Sequence, residues 1–260
     1  MSGFVTIAAS QIARFVRRWW RARAHGVSYR GTTRTILPET VRFGDHHVRF
    51  NVPAEAQLVA DFCNVVFDDE YGLRALQSSP ETIVDIGGNV GFFTCFARGL
   101  FPDAQIHIYE PCAETAAYTR KNTSHPLTCL FIEGVAREDG SARLIDLGAS
   151  NIARTEIAAD GDIVLRSFAK VLERASGKID LLKVDCEGAE WDFMRDADLF
   201  ARVGIIRMEY HLIDGRTLDD LHRMASGIGF GVAHLTPNEG YGIAWLERSA
   251  SGKASTSRSR

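Results

Sequence analysis

Thr82-Ile-Val-Asp-Ile-Gly-Gly-Asn-Val-Gly-Phe-Phe-Thr94 is the stretch that decides the fold. Thr82–Ile86 is β-branched and apolar but for Asp85, as expected of a strand covered on both faces. Gly87, Gly88 and Gly91 then lead into a second apolar run with helical character. Strand, glycine turn and helix together place the turn at the carboxyl end of a strand, where open α/β sheets bind ligands. Glycine lets a backbone approach a ligand closely, and the helix start offers free N–H groups. The spacing excludes two common loops. After Gly87, the positions where G-x-G-x-x-G needs glycine hold Asn89 and Phe92, and no G-x-x-x-x-G-K-[ST] occurs.

Outward from that stretch, apolar strands fit Gln105–Tyr109, Thr128–Ile132, Ile179–Val184, Gly204–Glu209, Gly231–Leu235 and Gly242–Leu246. Helical stretches at about 90–100, 113–122, 188–196 and 217–228 separate most of them. Alternating strands and helices of this kind predict a buried, mostly parallel sheet with helices on both faces. The last two strands are linked only by Thr236-Pro-Asn-Glu-Gly-Tyr241, too short for a parallel crossover, so they form an antiparallel pair. Residues 141–147 and 162–166 read as an extra strand pair.

Upstream, residues 35–80 form a prelude, with short strands at Arg42–Phe43 and His47–Asn51 and a helix over Ala54–Val65 that starts after Pro53. Residues 1–34 form a basic extension. Phe4, Ile7, Ala8, Ile12, Phe15, Val16 and Trp19 recur at helical spacing, and Trp19-Trp20 suits a lipid headgroup layer. This helix either packs on the main domain with its arginines in solvent or touches a membrane surface peripherally through residues 4–24. The main domain spans 81–247, and 248–260 is a basic tail with little to bury, expected to be disordered.

The chain has 260 residues, a net charge of −3 and 45% hydrophobic residues, a soluble globular composition. The charge is uneven. Residues 1–34 hold seven arginines and no acid, and 248–260 hold four basic residues, so the middle carries −14. An acidic body argues against nucleic-acid binding. The five cysteines form no C-x-x-C pair and read as reduced thiols of a cytoplasmic protein, without a metal site.

Two further groups point to chemistry. Ile106-His-Ile-Tyr-Glu110 ends a strand in an acid 25 residues beyond Asp85, where a carboxylate can accept hydrogen bonds from ribose hydroxyls. Ile179-Asp-Leu-Leu-Lys-Val-Asp-Cys-Glu-Gly-Ala-Glu190 places Lys183 and Asp185 on one side of a strand, with Glu187 and Glu190 close behind. Charge at the end of a buried strand is costly unless paired or functional. The neighbouring strand ends in Met208-Glu-Tyr-His211, which offers a histidine for general-base work.

These segments resemble the FkbM-type family of class I S-adenosylmethionine-dependent methyltransferases. VDIGGNVGFFT, IYEP with the following helix through residues 120–122, the Ser150-Asn151 pair, and IDLLKVDCEGAE with MEYH carry the resemblance, over roughly residues 81–212. It implies a Rossmann-like fold with a seven-stranded, mostly parallel sheet and an antiparallel final strand. It also implies that Asp85, Gly87, Gly88, Asn89 and Gly91 shape a loop around the methionine part of S-adenosyl-L-methionine. Glu110 is then expected on the ribose, and Glu133 with Gly134 at the adenine. The family commonly has alanine where Gly88 stands, and a Leu-Asp pair in the segment that here reads Val164-Leu-Arg-Ser-Phe.

The reaction expected is O-methylation of a hydroxyl on a saccharide, glycan or secondary metabolite. His211 is the first base and Asp185 the second, with Glu187 and Asn151 positioning the acceptor. The alternatives are an inactive accessory or glycan-binding protein of the same fold, and a nucleotide-dependent oxidoreductase. The missing G-x-G-x-x-G opposes the latter.

Overall fold

A computed structural model describes residues 2–29, 36–145 and 154–249. Helix α1 (Ser2–Ala24) opens the chain, followed by the short antiparallel hairpin β1 (Val41–Phe43) and β2 (His46–Val48). Helix α2 (Gln57–Phe62) runs directly into a π-helical segment, Cys63–Asp68. The helix expected over Ala54–Val65 therefore starts later and changes its winding midway. Asp69 ends it in the left-handed conformation (φ 57°), and its carboxylate takes the N–H groups of Leu73 and Arg74.

The main domain alternates β3 (Thr82–Ile86), α3 (Phe92–Leu100), β4 (Gln105–Tyr109), α4 (Ala113–Asn122) and β5 (Thr128–Phe131). Next come β6 (Gly134–Ala136), β7 (Gly140–Ile145), β8 (Arg154–Ile157) and β9 (Ile163–Ser167). The chain then continues through α5 (Phe168–Arg174), β10 (Ile179–Val184), α6 (Glu190–Phe193), α7 (Ala197–Phe200) and β11 (Val203–His211). It closes with α8 (Leu218–Gly227), β12 (Phe230–Pro237) and β13 (Tyr241–Arg248).

Seven strands form one sheet in the order β12-β13-β11-β10-β3-β4-β5. Pairings from β11 through β5 are parallel, and β13 enters antiparallel between β11 and β12. Strand alternation sends successive residues to opposite faces. Ile83, Leu181 and Ile243 join the cluster that holds α3 and the prelude, whereas Val84, Leu182 and Ala244 join the cluster under α5, α7 and α8. Both faces are thus covered, as a parallel sheet requires. The first cluster takes in Phe62, Val66 and Phe67, so residues 35–80 share their core with the main domain.

Three local expectations change. The extra strand pair is part of a four-stranded sheet, β6-β9-β7-β8, in which β6 lies parallel to β9. The helix expected at 188–196 is a single turn, Glu190–Phe193, because Gly188 sits at φ 106° just before it. Helix α1 is present, but its apolar residues divide. Phe15, Trp19 and Ala22 face the core, while Ile12, Val16 and Trp20 lie exposed in an i, i+4, i+8 row. Its arginines are not simply in solvent. Arg14, Arg17 and Arg18 converge on Asp68, and Arg21 donates to the carbonyls of Phe67 and Asp68. Burial raises the Asp68 carboxyl, but the guanidinium donors of Arg18 and Arg14 outweigh it and hold it below the usual range. No helix among the described residues is long and apolar enough to cross a membrane. Residues 250–260 lie outside the described residues.

Candidate active site

Strand β3, the first of the large sheet in chain order, lies between β10 and β4, so the connections leaving β3 and β10 diverge at its carboxyl end. A crevice opens there for topological reasons. The loop after β3 forms its floor. Gly87 (φ 76°) passes so close to β10 that a Cβ there would stand 1.6 Å from the Asp185 carbonyl oxygen. Gly91 (φ 92°) caps α3. Between them Asn89 adopts φ 43°, a left-handed conformation uncommon outside glycine.

A buried charge cluster ties this loop to the sheet. Lys183 is paired in register with Asp85 across β10 and β3. Its ammonium lies 3.2 Å from Asp85 Oδ1 and 3.5 Å from Asp185 Oδ2, and donates to the carbonyls of Gly87 at 2.5 Å and Ile86 at 3.3 Å. Burial alone lowers the pKa of this ammonium, but the two aspartates reverse the effect and hold Lys183 firmly as a cation. Asp85 is fully buried and also accepts the Thr94 hydroxyl at 2.8 Å. It therefore shapes the loop from beneath and does not face the cleft.

Glu110, just past β4, accepts the N–H of Asn89 on one carboxylate oxygen (2.9 Å) and that of Cys112 on the other (3.0 Å). Each oxygen keeps a second lone pair. Burial raises this carboxyl to about 7, against the lowering effect of the two N–H donors.

The opposite wall comes from β10 and β11. Glu187 adopts φ 53° and Gly188 follows in the left-handed region, which turns the chain over the cleft. Glu190, fully buried, accepts the N–H of Gly188 and that of His211, both at 2.8 Å. It therefore fixes the ends of both strands, a positioning role beyond that of a helix-start acid. His211 Nε2 stands 3.2 Å from Glu187 and 3.5 Å from Glu209, and Nδ1 stands 3.4 Å from Glu190. Burial lowers its pKa, but these carboxylates overcome that and raise it to about 11. The carboxylates thus favour the protonated ring, and they stand beside it as further proton acceptors. Burial and then Asp185 raise the Glu187 carboxyl to about 8.

The cleft bounded by these walls has a volume of about 720 Å³. It brings together Gly87, Gly88, Asn89, Lys183, Asp185, Glu187, Glu209 and His211. The prelude closes it with Asp61, Asn64, Glu70 and Tyr71, which the sequence reading had not singled out. The Tyr71 hydroxyl donates to Asp185 Oδ2 at 3.2 Å. Six acids line the cleft (Asp61, Glu70, Asp185, Glu187, Glu209 and Glu239) against Lys183 and His211. Burial and the nearby Asp185 raise the Asp61 carboxyl to about 7.

The pattern of the methyltransferase FkbM domain matches residues 85–226, more than half of the chain and every part of the site just described except the prelude wall and the β12–β13 turn. The chain belongs to the FkbM methyltransferase family. A relative called Methyltransferase 1 from Beauveria bassiana is 28% identical over 191 residues, covering 62% of this chain and 76% of that protein. Among solved structures, a putative RNA methyltransferase from Pyrococcus horikoshii superposes with a TM-score of 0.44 at 12% identity, covering 90% of this chain and 98% of the other. A precorrin-6y C5,15-methyltransferase from Geobacter metallireducens gives 0.45 at 12%, covering 77% and 94%. The large sheet of this FkbM-family chain has the seven strands expected from the sequence, mostly parallel, with the final strand inserted antiparallel.

Not every expected residue reaches the cleft of this FkbM-family methyltransferase. Glu133 is engaged elsewhere. Its carboxylate pairs with Arg174 at 2.5 Å and Arg166 at 3.1 Å, beyond the end of β5. Gly134 packs on Leu165, whose Cδ2 would lie 2.8 Å from an added Cβ. Neither lines the cleft. Glu110 and Gly91 do not line it either, but Glu110 is tied to the cofactor loop through the Asn89 N–H and Gly91 belongs to that loop. Glu133 and Gly134 have no such link, so the adenine role expected of this pair has no support in the geometry. Asn151, with Ser150, lies outside the described residues. Asp61 carries one faint signal in the sequence, an acid set into the otherwise apolar stretch Leu58–Cys63, whereas Glu70 and Tyr71 lie in a polar turn and carry none.

Proposed function

We propose that this chain transfers a methyl group from S-adenosylmethionine to a hydroxyl of a saccharide, glycan or secondary metabolite. The observation that carries the reading is the meeting of the Gly87–Asn89 loop with Asp185, Glu187 and His211 at the mouth of the β3–β10 crevice.

The residues present fit the cofactor. Asn89 Oδ1 is a buried acceptor with no partner, and it lies on the cleft floor. Glu110 has free lone pairs for the two ribose hydroxyls. The acidic lining suits a ligand that carries a sulfonium and an ammonium, because a cleft of one sign concentrates the other. When bound, the cofactor supplies an electrophilic methyl group. Asn89 and the Gly87–Gly88 backbone would hold its amino-acid end, and Glu110 its ribose.

The protein's own contribution is alignment and proton handling. Methyl transfer is an in-line displacement, and positioning supplies much of its rate. Tyr71 and Lys183 pin Asp185 from two directions, which fixes its carboxylate against the cleft. An acceptor hydroxyl loses its proton as the new bond forms, and a carboxylate of the Asp185, Glu187 and Glu209 set is placed to take it. His211 Nε2 lies between Glu187 and Glu209 and orients both.

Calorimetric titration with S-adenosylmethionine tests the cofactor assignment, and transfer of a labelled methyl group to a panel of hydroxylated acceptors tests the rest. Glu110→Ala is expected to abolish cofactor binding while the fold is kept. Undiminished binding in that variant overturns the ribose assignment, and binding of NAD instead overturns the reaction class.

We further infer peripheral membrane contact through α1, supported by the exposed Ile12, Val16 and Trp20 row. Liposome co-sedimentation unaffected by Trp20→Ser would remove that inference.

A further inference from the structure

The acid excess of the cleft is concentrated at one point. Asp185, Glu209 and His211 each present one ligand-type atom there, and the three atoms lie within 4.8 Å of one another. They come from the ends of two adjacent parallel strands, β10 and β11, whose register is fixed by the sheet. Glu209 and His211 are two residues apart on one strand and so point to the same face. The sheet therefore supplies two carboxylates and one imidazole on a single side of an open cavity.

His211 turns Nε2 toward Glu187 and Glu209, and Nδ1 toward Glu190 at 3.4 Å. The residue is only 8% exposed, its ring lines the cleft, and Nδ1 has no hydrogen-bond partner. Across the same cleft, Asp61 Oδ2 is also buried without a partner. Lys183 reaches neither His211 nor Asp61, because its ammonium is committed to Asp85, to Asp185 Oδ2 at 3.5 Å and to the carbonyls of Ile86 and Gly87. A buried polar group without a partner calls for a missing ligand, water or ion.

We propose that Asp185, Glu209 and His211 form a binding site for one hard divalent cation of the Mg²⁺ or Mn²⁺ class. Two carboxylates with one imidazole suit Mn²⁺ best, since carboxylate oxygens favour hard cations and imidazole is tolerated by the later ones. Three protein donors on one side leave the remaining positions for water and for acceptor oxygens. The chemical use of the site rests on the hydroxyl-methylation reading above. An acceptor hydroxyl held on the cation becomes more acidic. Its O–H bond breaks and the proton passes to Glu187 in its ionised form, which the neighbouring cation favours. The oxygen lone pair forms the new bond to the methyl carbon, and the electron pair of the breaking carbon–sulfur bond stays on sulfur. Cation binding itself requires none of these steps.

The full chain, stripped of metal and titrated with MnCl₂, tests the site by electron paramagnetic resonance of free Mn²⁺. One Mn²⁺ per chain is expected, displaced by excess Mg²⁺. Glu209→Gln and His211→Asn are each expected to weaken binding by more than about tenfold. Glu133→Gln, remote from the cleft, is expected to leave it unchanged. Electron spin-echo measurements on the wild-type complex, which need no variant to fold, are expected to show coupling to an imidazole nitrogen. Failure to bind Mn²⁺ at millimolar concentration overturns the site. So does binding that survives both substitutions, or a complex without nitrogen coupling. S-adenosylmethionine titration of the same metal-free sample separates the two readings. Cofactor binding without Mn²⁺ binding leaves the methyltransferase reading standing and removes this one.

Discussion

Replacing Lys183 by methionine removes the single cation from beneath the cofactor loop and exposes how the cluster is balanced. Lys183 is 3% exposed and Asp85 is not exposed at all, so water cannot stand in for the lost ammonium. Asp85 would keep the Thr94 hydroxyl and nothing of opposite charge. The least costly response of an unpaired buried carboxylate is to take up a proton. Starting from an ordinary aspartate near 3.9, that costs roughly 4 kcal/mol at pH 7, at about 1.4 kcal/mol per pH unit. The figure falls within the roughly 3–5 kcal/mol typical of breaking a buried pair.

The sign of the pH dependence follows. In the variant the folded Asp85 has a raised pKa, so its penalty is absent below about pH 4 and grows as pH rises. Urea unfolding followed by circular dichroism is expected to show a loss of about 4 kcal/mol at pH 7 and about 1.5 kcal/mol at pH 5. Adding Asp85→Asn to Lys183→Met is expected to restore most of the loss at pH 7. A loss under about 1 kcal/mol at pH 7, or a double variant no better than the single, would refute the account of Lys183 as the counter-charge of Asp85.

Three further outcomes are expected. Gly87→Ala forces a Cβ to within 1.6 Å of the Asp185 carbonyl oxygen and should cost about 3 kcal/mol or more, read as a lowered urea midpoint together with loss of cofactor binding. Because burial raises Glu110 to about 7 and ribose hydroxyls favour its charged form, S-adenosylmethionine affinity should fall below pH 7 by up to about tenfold per unit, with proton release visible by calorimetry in buffers of different ionisation enthalpy. Asp68→Asn removes the carboxylate shared by Arg14, Arg17 and Arg18, and should cost about 1–3 kcal/mol by thermal melting and speed tryptic cleavage within α1.

The parallel sheet was legible because its strands are continuous apolar runs, and the cofactor loop because Gly87 and Gly91 punctuate one of them. Lys183 and Asp185 stood out as charges on a buried strand, and the structure shows why they are tolerated. Each is compensated by a partner from a neighbouring strand or from the prelude. Tyr71, by contrast, gave no pattern of its own. Its partner Asp185 is 114 residues away, and nothing local signals a contact of that range. Asp61 was hidden in a different way. It lies on α2 just before the winding changes at Cys63, and a lone acid on a helix reads as a solvent-facing residue. Glu190 was legible only as one of the acids close behind Asp185, since a carboxylate that holds the loop after β10 and the end of β11 leaves no separate trace in sequence.

The arginine clasp on Asp68 has a practical consequence for anyone dissecting the chain. Asp68 closes the π-helical segment whose neighbours Asn64, Glu70 and Tyr71 face the cleft. A fragment trimmed to the matched domain would keep β4, β5, β10, β11 and the whole glycine loop, but it would lose Thr82–Val84 of β3 and one side of its reaction chamber. Expression tags or cleavage sites placed in the first 26 residues act on that same side, through four guanidinium groups and one short helical turn. The segment that family comparison leaves out is thus the natural place for relatives of one catalytic scaffold to diverge in what they accept.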